Sequence, residues 1–139
     1  MVSKINESIF IDTAFFKALI DTKDDFHEDA VTILERLNKQ STQLITSNFI
    51  LDETITLIRV KCGRDRVKDL QRSLLKLKRF KIIRVISLDE KNAWEWFWND
   101  WSRLSFTDCV SFALMKRLGL TRVATFDNHF QKAGFQVEK

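Results

Sequence analysis

The 139-residue chain contains no proline, three glycines and two cysteines. Without a proline-rich linker to divide it, a chain of this length reads as one domain over 1–139. No uncharged apolar run approaches the roughly 20 residues of a membrane-spanning helix. The first apolar stretch is interrupted by Asp12 and Lys17, which argues against a signal peptide. Cys62 and Cys109 lie in apolar, helix-like surroundings without a CxxC spacing. They read as buried free thiols, hence a reducing, cytoplasmic compartment. His27 and His129 are distant in sequence, so no His or Cys cluster offers a zinc site. His129 in "DNHF" reads as a surface or packing residue rather than a catalytic base.

The net charge is +4, unevenly placed. Residues 59–84 hold eleven Lys or Arg against two Asp, a local +9, which leaves −5 for the rest of the chain. A basic block beside an acidic remainder points to a polyanionic partner, although a solvated helix face has the same composition. On 64–77, Lys68, Arg72 and Lys76 recur at i, i+4 and i+8. Like charges at this spacing repel mildly, and such a stripe suits RNA phosphates, an acidic partner or a wetted face.

Short β-branched runs alternate with amphipathic ones. Strands are expected at 8–12, 43–47, 81–87, 122–127 and 135–139. Helices are expected at 13–20, 25–39, 49–63, 64–77, 88–101 and 107–119, the fifth opened by a capping box of Ser87 and Glu90. Gly63, Gly119 and Gly134 each follow a helix-like run, where a left-handed residue closes a helix. The pattern is α/β.

Four acids stand out against this frame. Asp12 ends the first strand and Asp127 the fourth, and functional groups gather beyond the carboxyl ends of parallel strands. Asp108 stands at a helix start. On the helix from Phe49, Glu53 falls between Val60 and Leu57 in the apolar arc, whereas Asp52 falls beside Arg59 and Thr56 on the polar side. A carboxylate in an apolar arc is costly unless a cation or hydrogen bonds compensate. Each acid also has an ordinary role available: Asp12 as a helix N-cap, Asp108 as a first-turn acid, Asp127 as a turn residue, and Glu53 reaching water along its stem. Taken together they suggest a cleft of carboxylates, which wants divalent cations. Oxygen-only donors select Mg²⁺ or Mn²⁺, ions that activate water and stabilise the leaving oxygen of a phosphodiester.

These residues resemble the motifs of PIN-domain ribonucleases and, within them, the small VapC-like toxins of toxin–antitoxin pairs. The first motif appears as Asp12-Thr13, the second as Ser47 and Glu53 in "ITSNFILDET". The third appears as Thr107-Asp108 in "SFTDCVSFALMKRLG", and the fourth as Thr125-Phe126-Asp127 with Phe130 and Gly134. Asn48 stands where many relatives carry proline. The resemblance implies a PIN-like three-layer α/β fold, with a five-stranded, mainly parallel sheet flanked by helices. It implies a Mg²⁺- or Mn²⁺-dependent endoribonuclease, and often a homodimer inhibited by a small antitoxin protein. Asp12, Glu53, Asp108 and Asp127 are then the candidate catalytic and metal-binding residues, Asp12 and Asp108 the nearest ligands and Asp127 the most dispensable. Thr13, Thr107 and Thr125 are candidates to hydrogen-bond carboxylates or a metal-bound water. Lys68, Arg72 and Lys76 are candidate RNA contacts.

Other readings stay open from the sequence: a PIN nuclease of RNA processing, a non-catalytic RNA- or protein-binding module on the same fold, and a receiver-type phospho-acceptor domain. The last wants paired acids after the first strand, where Ile11 precedes Asp12 here. Trp94, Phe97, Trp98 and Trp101 are expected on one helix face, as core or subunit interface. Trp96 lies opposite, for packing against a neighbouring element, a partner contact or base stacking.

Overall fold

The computed structural model describes residues 8–139. Five parallel strands, β1 (Ser8–Ile11), β2 (Gln43–Ser47), β3 (Phe80–Ile83), β4 (Arg122–Ala124) and β5 (Gln136–Val137), form one sheet in the order β3-β2-β1-β4-β5. The helices are α1 (Thr13–Ile20), α2 (His27–Lys39), α3 (Asn48–Cys62), α4 (Arg64–Lys76), α5 (Ser87–Phe97), α6 (Phe106–Leu118) and α7 (His129–Lys132). No helix is long and apolar enough to cross a membrane among the described residues.

β1 is the central strand and is buried along its length, as a parallel strand covered on both faces requires. Its residues Ile9, Phe10 and Ile11 join Phe15, Phe16, Leu44, Ile50, Phe112, Val123 and Phe130 in the main core. Register places the site. Ile11 pairs with Ala124, so Asp12 and Thr125 stand side by side just past the ladder. α6 leads through Gly119 directly into β4 and so runs against it, which brings its N-terminus back to the carboxyl edge of the sheet. Gly119 makes this turn in the left-handed conformation, φ 71°.

The elements match the expected order, with instructive differences at their ends. The third strand stops at Ile83 because the Val85 amide leaves the sheet and bonds Asn48 Oδ1 at 2.8 Å. The fourth stops at Ala124 because the Asp127 amide bonds Thr125 Oγ1 at 3.0 Å. The second helix begins at His27, and α7 was not expected at all. Cys62 and Cys109 are free; Cys109 is buried as expected, but Cys62 is half-buried at the end of α3.

The expected Ser87–Glu90 capping box is not formed. Ile86 is the N-cap of α5, and its amide bonds Asp89 Oδ2 at 3.0 Å. Asp89 is turned inward by Arg117 of α6, whose Nε and Nη2 bond its two oxygens at 2.7 and 2.9 Å. Burial pushes the Asp89 carboxyl up, but the guanidinium and the Ile86 amide outweigh it and hold the group below its usual range. This pairing ties α5 to α6; Trp96 packs against that neighbouring element as expected, while the core reading fails for Trp94 and Trp98. Trp96 packs inward, 5.2 Å from Phe112 and 6.4 Å from Trp101. The helix ends at Phe97, so Trp101 leaves the helical face and joins the core margin. Trp94 and Trp98 point outward, 49% and 75% exposed, and stack on each other at 5.8 Å.

Removing one partner of a buried ion pair strands the other charge, at a cost of about 3 kcal/mol. Arg117→Ala is therefore expected to destabilise the protein by roughly that amount in urea unfolding, and Asp89→Asn/Arg117→Met to recover most of it. Equal stability of Arg117→Ala and wild type contradicts the assignment.

Candidate functional site

Asp12 sits at the N-cap position of α1, yet its side chain makes no capping bond. Its carbonyl accepts from the Phe15 and Phe16 amides instead. Asp12 Oδ2 accepts from Thr125 Oγ1 at 2.7 Å. Oδ1 is fully buried and has no hydrogen-bond partner. The residue is 2% exposed. Burial, then the charge of Asp108, push its carboxyl up to about 8 from an ordinary 3.8, against the Thr125 and Thr13 hydrogen bonds.

Asp108 is the third helical residue of α6. A capping box holds it: its amide bonds Ser105 Oγ at 3.0 Å, and its Oδ2 accepts from the Ser105 amide at 3.1 Å. The cap occupies Oδ2 and leaves Oδ1 unused by it. Burial raises the Asp108 carboxyl to about 6; the Ser105 amide opposes this, and the charges of Asp127 and Glu53 add to it. Asp108 is thus electrostatically coupled to Asp12, Asp127 and Glu53 alike.

Glu53 is half-buried at the margin of the α3 face formed by Ile50, Thr54 and Ile58, while Asp52 is exposed. Val60, its expected apolar neighbour, is 75% exposed, so Glu53 borders the buried arc rather than intruding into it. Thr54 Oγ1 reaches Thr13 Oγ1 at 3.3 Å and ties α3 to α1 beside Asp12. The expected role of Thr125 toward a carboxylate is observed. Thr13 acts through its amide, and Thr107 gives its carbonyl to Ser111 Oγ at 2.9 Å. No bond from the Thr107 hydroxyl to a carboxylate occurs among the described residues.

His129, expected as a surface or packing residue, is buried, and beyond packing it joins the acids, which its sequence context did not show. Its backbone amide bonds Asp127 Oδ1 at 2.9 Å. Its Nδ1 lies 3.0 Å from Asp127 Oδ2 and 3.4 Å from Asp108 Oδ2. Its Nε2 lies 2.7 Å from the Ser102 carbonyl oxygen. Both ring nitrogens face acceptors, an arrangement that a protonated ring satisfies in full. Burial lowers its pKa, but the Ser102 and Asp127 contacts outweigh this and raise it overall. Side-chain atoms of Asp108, Asp127 and His129 lie within 4.8 Å of one another. A protonated ring offers no lone pair, which leaves the carboxylates of this group as the candidate metal donors and His129 as their counter-charge. The only local signal was a histidine two residues beyond a strand-end acid.

The PIN domain profile matches residues 9–136. The chain belongs to the PIN domain family. It is 33% identical over 129 residues to the 23S rRNA-specific endonuclease VapC20 of Mycobacterium tuberculosis, covering 91% of this chain and 95% of the relative. The crystal structure of that organism's VapC20, a sarcin-ricin-loop-cleaving toxin, matches at TM-score 0.80 with 32% identity over 91% and 95% of the two chains. DNA-bound VapBC from Salmonella typhimurium matches at TM-score 0.66 with 15% identity over 94% and 96%, a likeness of fold alone. As a PIN domain of VapC type, the protein has its acids at the carboxyl edge of a five-stranded parallel sheet.

The donor set fits a hard divalent cation. Its carboxylates are oxygen donors, and Asp12 Oδ1 is a buried acceptor with no hydrogen-bond partner among the described residues. Because the folded protein raises both Asp12 and Asp108 above their unfolded value, metal-free stability is full below about pH 4. It is lost as pH rises through about 6 and then about 8. The metal-free Tm is expected to fall between pH 5 and 9. Asp12→Asn is expected to raise Tm at pH 8.5 by about 5 °C or more and to flatten the upper part of the fall, as scanning calorimetry in EDTA will show. A wild-type Tm that rises over this range contradicts the burial of these charges.

Proposed function

We propose that this protein is a Mg²⁺- or Mn²⁺-dependent endoribonuclease of VapC type, acting as a single domain in the cytoplasm, with Asp12, Glu53, Asp108 and Asp127 as its catalytic and metal-binding residues. The observation that carries this reading is the orphaned, buried Asp12 Oδ1 among mutually repelling acids. A bound divalent ion supplies positive charge to the phosphodiester and acidifies the attacking water. The chain's own residues prepare that chemistry. Thr125 fixes the rotation of the Asp12 carboxylate through Oδ2 and leaves Oδ1 aimed away from that bond. Ser105 fixes Asp108 in the same manner, and His129 fixes Asp127 and balances part of the negative charge. Glu53 lies half-buried at the rim of the group.

Lys68, Arg72 and Lys76 are exposed on α4 and are proposed to contact RNA phosphates. The relative's specificity for 23S rRNA makes ribosomal RNA the first substrate to test. The VapBC complexes of this fold support the reading that a small antitoxin is the partner and that the protein is a toxin. The exposed Trp94–Trp98 pair supports a homodimer contact.

Even outer-shell partners of a metal site cost 10–100-fold when lost, so Asp12→Asn is expected to lower the cleavage rate by about 100-fold or more. The assay is cleavage of ribosomal RNA in Mn²⁺, with EDTA abolishing it in the wild type. Metal-independent cleavage, or equal rates for Asp12→Asn, sinks the proposal.

A further inference from the structure

A cleft of about 500 Å³ opens beside the acids, lined by Arg103, Phe126, Asp127, His129 and Lys132 among others. Asp127 belongs to both the cleft and the acid group, so the cleft adjoins the reaction centre. Arg103 and Lys132 are exposed, and neither side chain has an ion pair or hydrogen bond among the described residues. Other exposed cations of the chain are unpaired too, so what marks these two is their place: Asp127 stands in the same cleft, yet its carboxylate contacts His129 instead. The two cations are left over, next to a cluster that repels any polyanion.

The position of Arg103 is built rather than loose. It adopts φ 61°, a left-handed conformation that L-residues other than Asn and Asp seldom take. The preceding residues hold it there. The Ser102 carbonyl accepts from His129 Nε2 at 2.7 Å, and Trp101 stacks parallel to the His129 ring, 6.5 Å between centroids and 6° between planes. The ring that steadies Asp127 thus also anchors the turn that presents Arg103. Lys132 comes from α7, the same short helix as His129. The one aromatic ring on the cleft wall besides His129, Phe126, is already sandwiched by Phe26 at 4.6 Å and Phe15 at 5.9 Å. Nothing in the cleft offers a free face for a base. Its chemistry suits a phosphodiester anion, which a guanidinium binds in bidentate fashion and an ammonium as a point charge.

Topology gives this cleft its meaning. Asp12 ends β1 and Asp127 follows β4, while the basic α4 belongs to the β2–β3 side of the sheet. Arg103 and Lys132 lie on the β4–α7 side. The cleft thus puts two cations on the β4–α7 side of the acids, away from the α4 block. We propose that Arg103 and Lys132 form a phosphate-binding subsite that holds the RNA backbone on the β4–α7 side of the cleaved bond. This rests on the nuclease reading and extends it to a second flank.

The test is RNA binding in the Asp12→Asn background across a salt series, read by fluorescence anisotropy with a single-stranded ribosomal RNA fragment. Arg103→Gln/Lys132→Gln is expected to weaken binding about tenfold at low salt. It is also expected to reduce the slope of log K against log salt by about 1.4, at roughly 0.7 per phosphate contact on single strands. The swap Arg103→Lys/Lys132→Arg keeps both charges and is expected to retain the slope. Lys39→Gln/Lys116→Gln removes equal charge at the opposite edge of the domain, where α2 and α6 end, and is expected to leave the slope unchanged. If wild type cleaves RNA while the Gln pair keeps the parental Kd and slope, or while the Lys39/Lys116 pair loses as much, the subsite is overturned alone. A wild type that neither cleaves nor binds RNA overturns both readings.

Discussion

One buried carboxylate organises this molecule. Asp12 lies at the end of the central strand, closed off from water, with one oxygen bonded by Thr125 and the other unmatched. Burying a charge without a partner is among the costliest features a fold can carry. The surrounding core tolerates it because β1 is locked on both sides, by the β2 and β4 ladders and by Thr46 Oγ1 bonding the Ile11 carbonyl at 2.9 Å. Stability from that apolar core sustains a site whose carboxylates are electrostatically unfavourable together.

The other acids share the load differently, because each also supports the local backbone. Asp108 closes a capping box and so gives one oxygen to the start of α6. Asp127 bonds the amide and ring of His129 and so shapes the turn into α7. The Asp12 side chain leaves unused the capping role that its position offers. The His129 ring is the counterweight within the cluster. It joins the turn at Ser102, the Trp101 ring and Asp127 into one unit, so the charge balance and the loop geometry are set together.

Much of this was legible in the sequence. The five strands, the order of the six longer helices and the four acids follow from β-branched runs, helical periodicity and the spacing of "FIDT", "SNFILDE", "SFTD" and "TFD". What was not legible depends on contacts between distant residues. Asp89 meets Arg117 from 28 positions away, and that pairing, not the local pattern, ties α5 to α6. Strand ends shifted where the side chains of Asn48 and Thr125 captured amides that periodicity had assigned to the sheet. α7 has four residues, too few for a period to show. His129 and Arg103 carry little local signal: a lone histidine two residues past a strand-end acid reads as packing, and nothing in an arginine announces a left-handed turn. The orphaned oxygen of Asp12 exists only in three dimensions, since its sequence context suggests a cap.

The central claim is that Asp12 Oδ1 is a cation ligand awaiting its ion. The most direct measurement is the anomalous difference map of a crystal soaked in Mn²⁺. The account predicts a peak in contact with Asp12 Oδ1 and shared with Asp108, with His129 still bonded to Ser102 and Asp127. A map without Mn²⁺ at the acids, with Asp12 Oδ1 instead hydrogen-bonded to a water molecule, would contradict it.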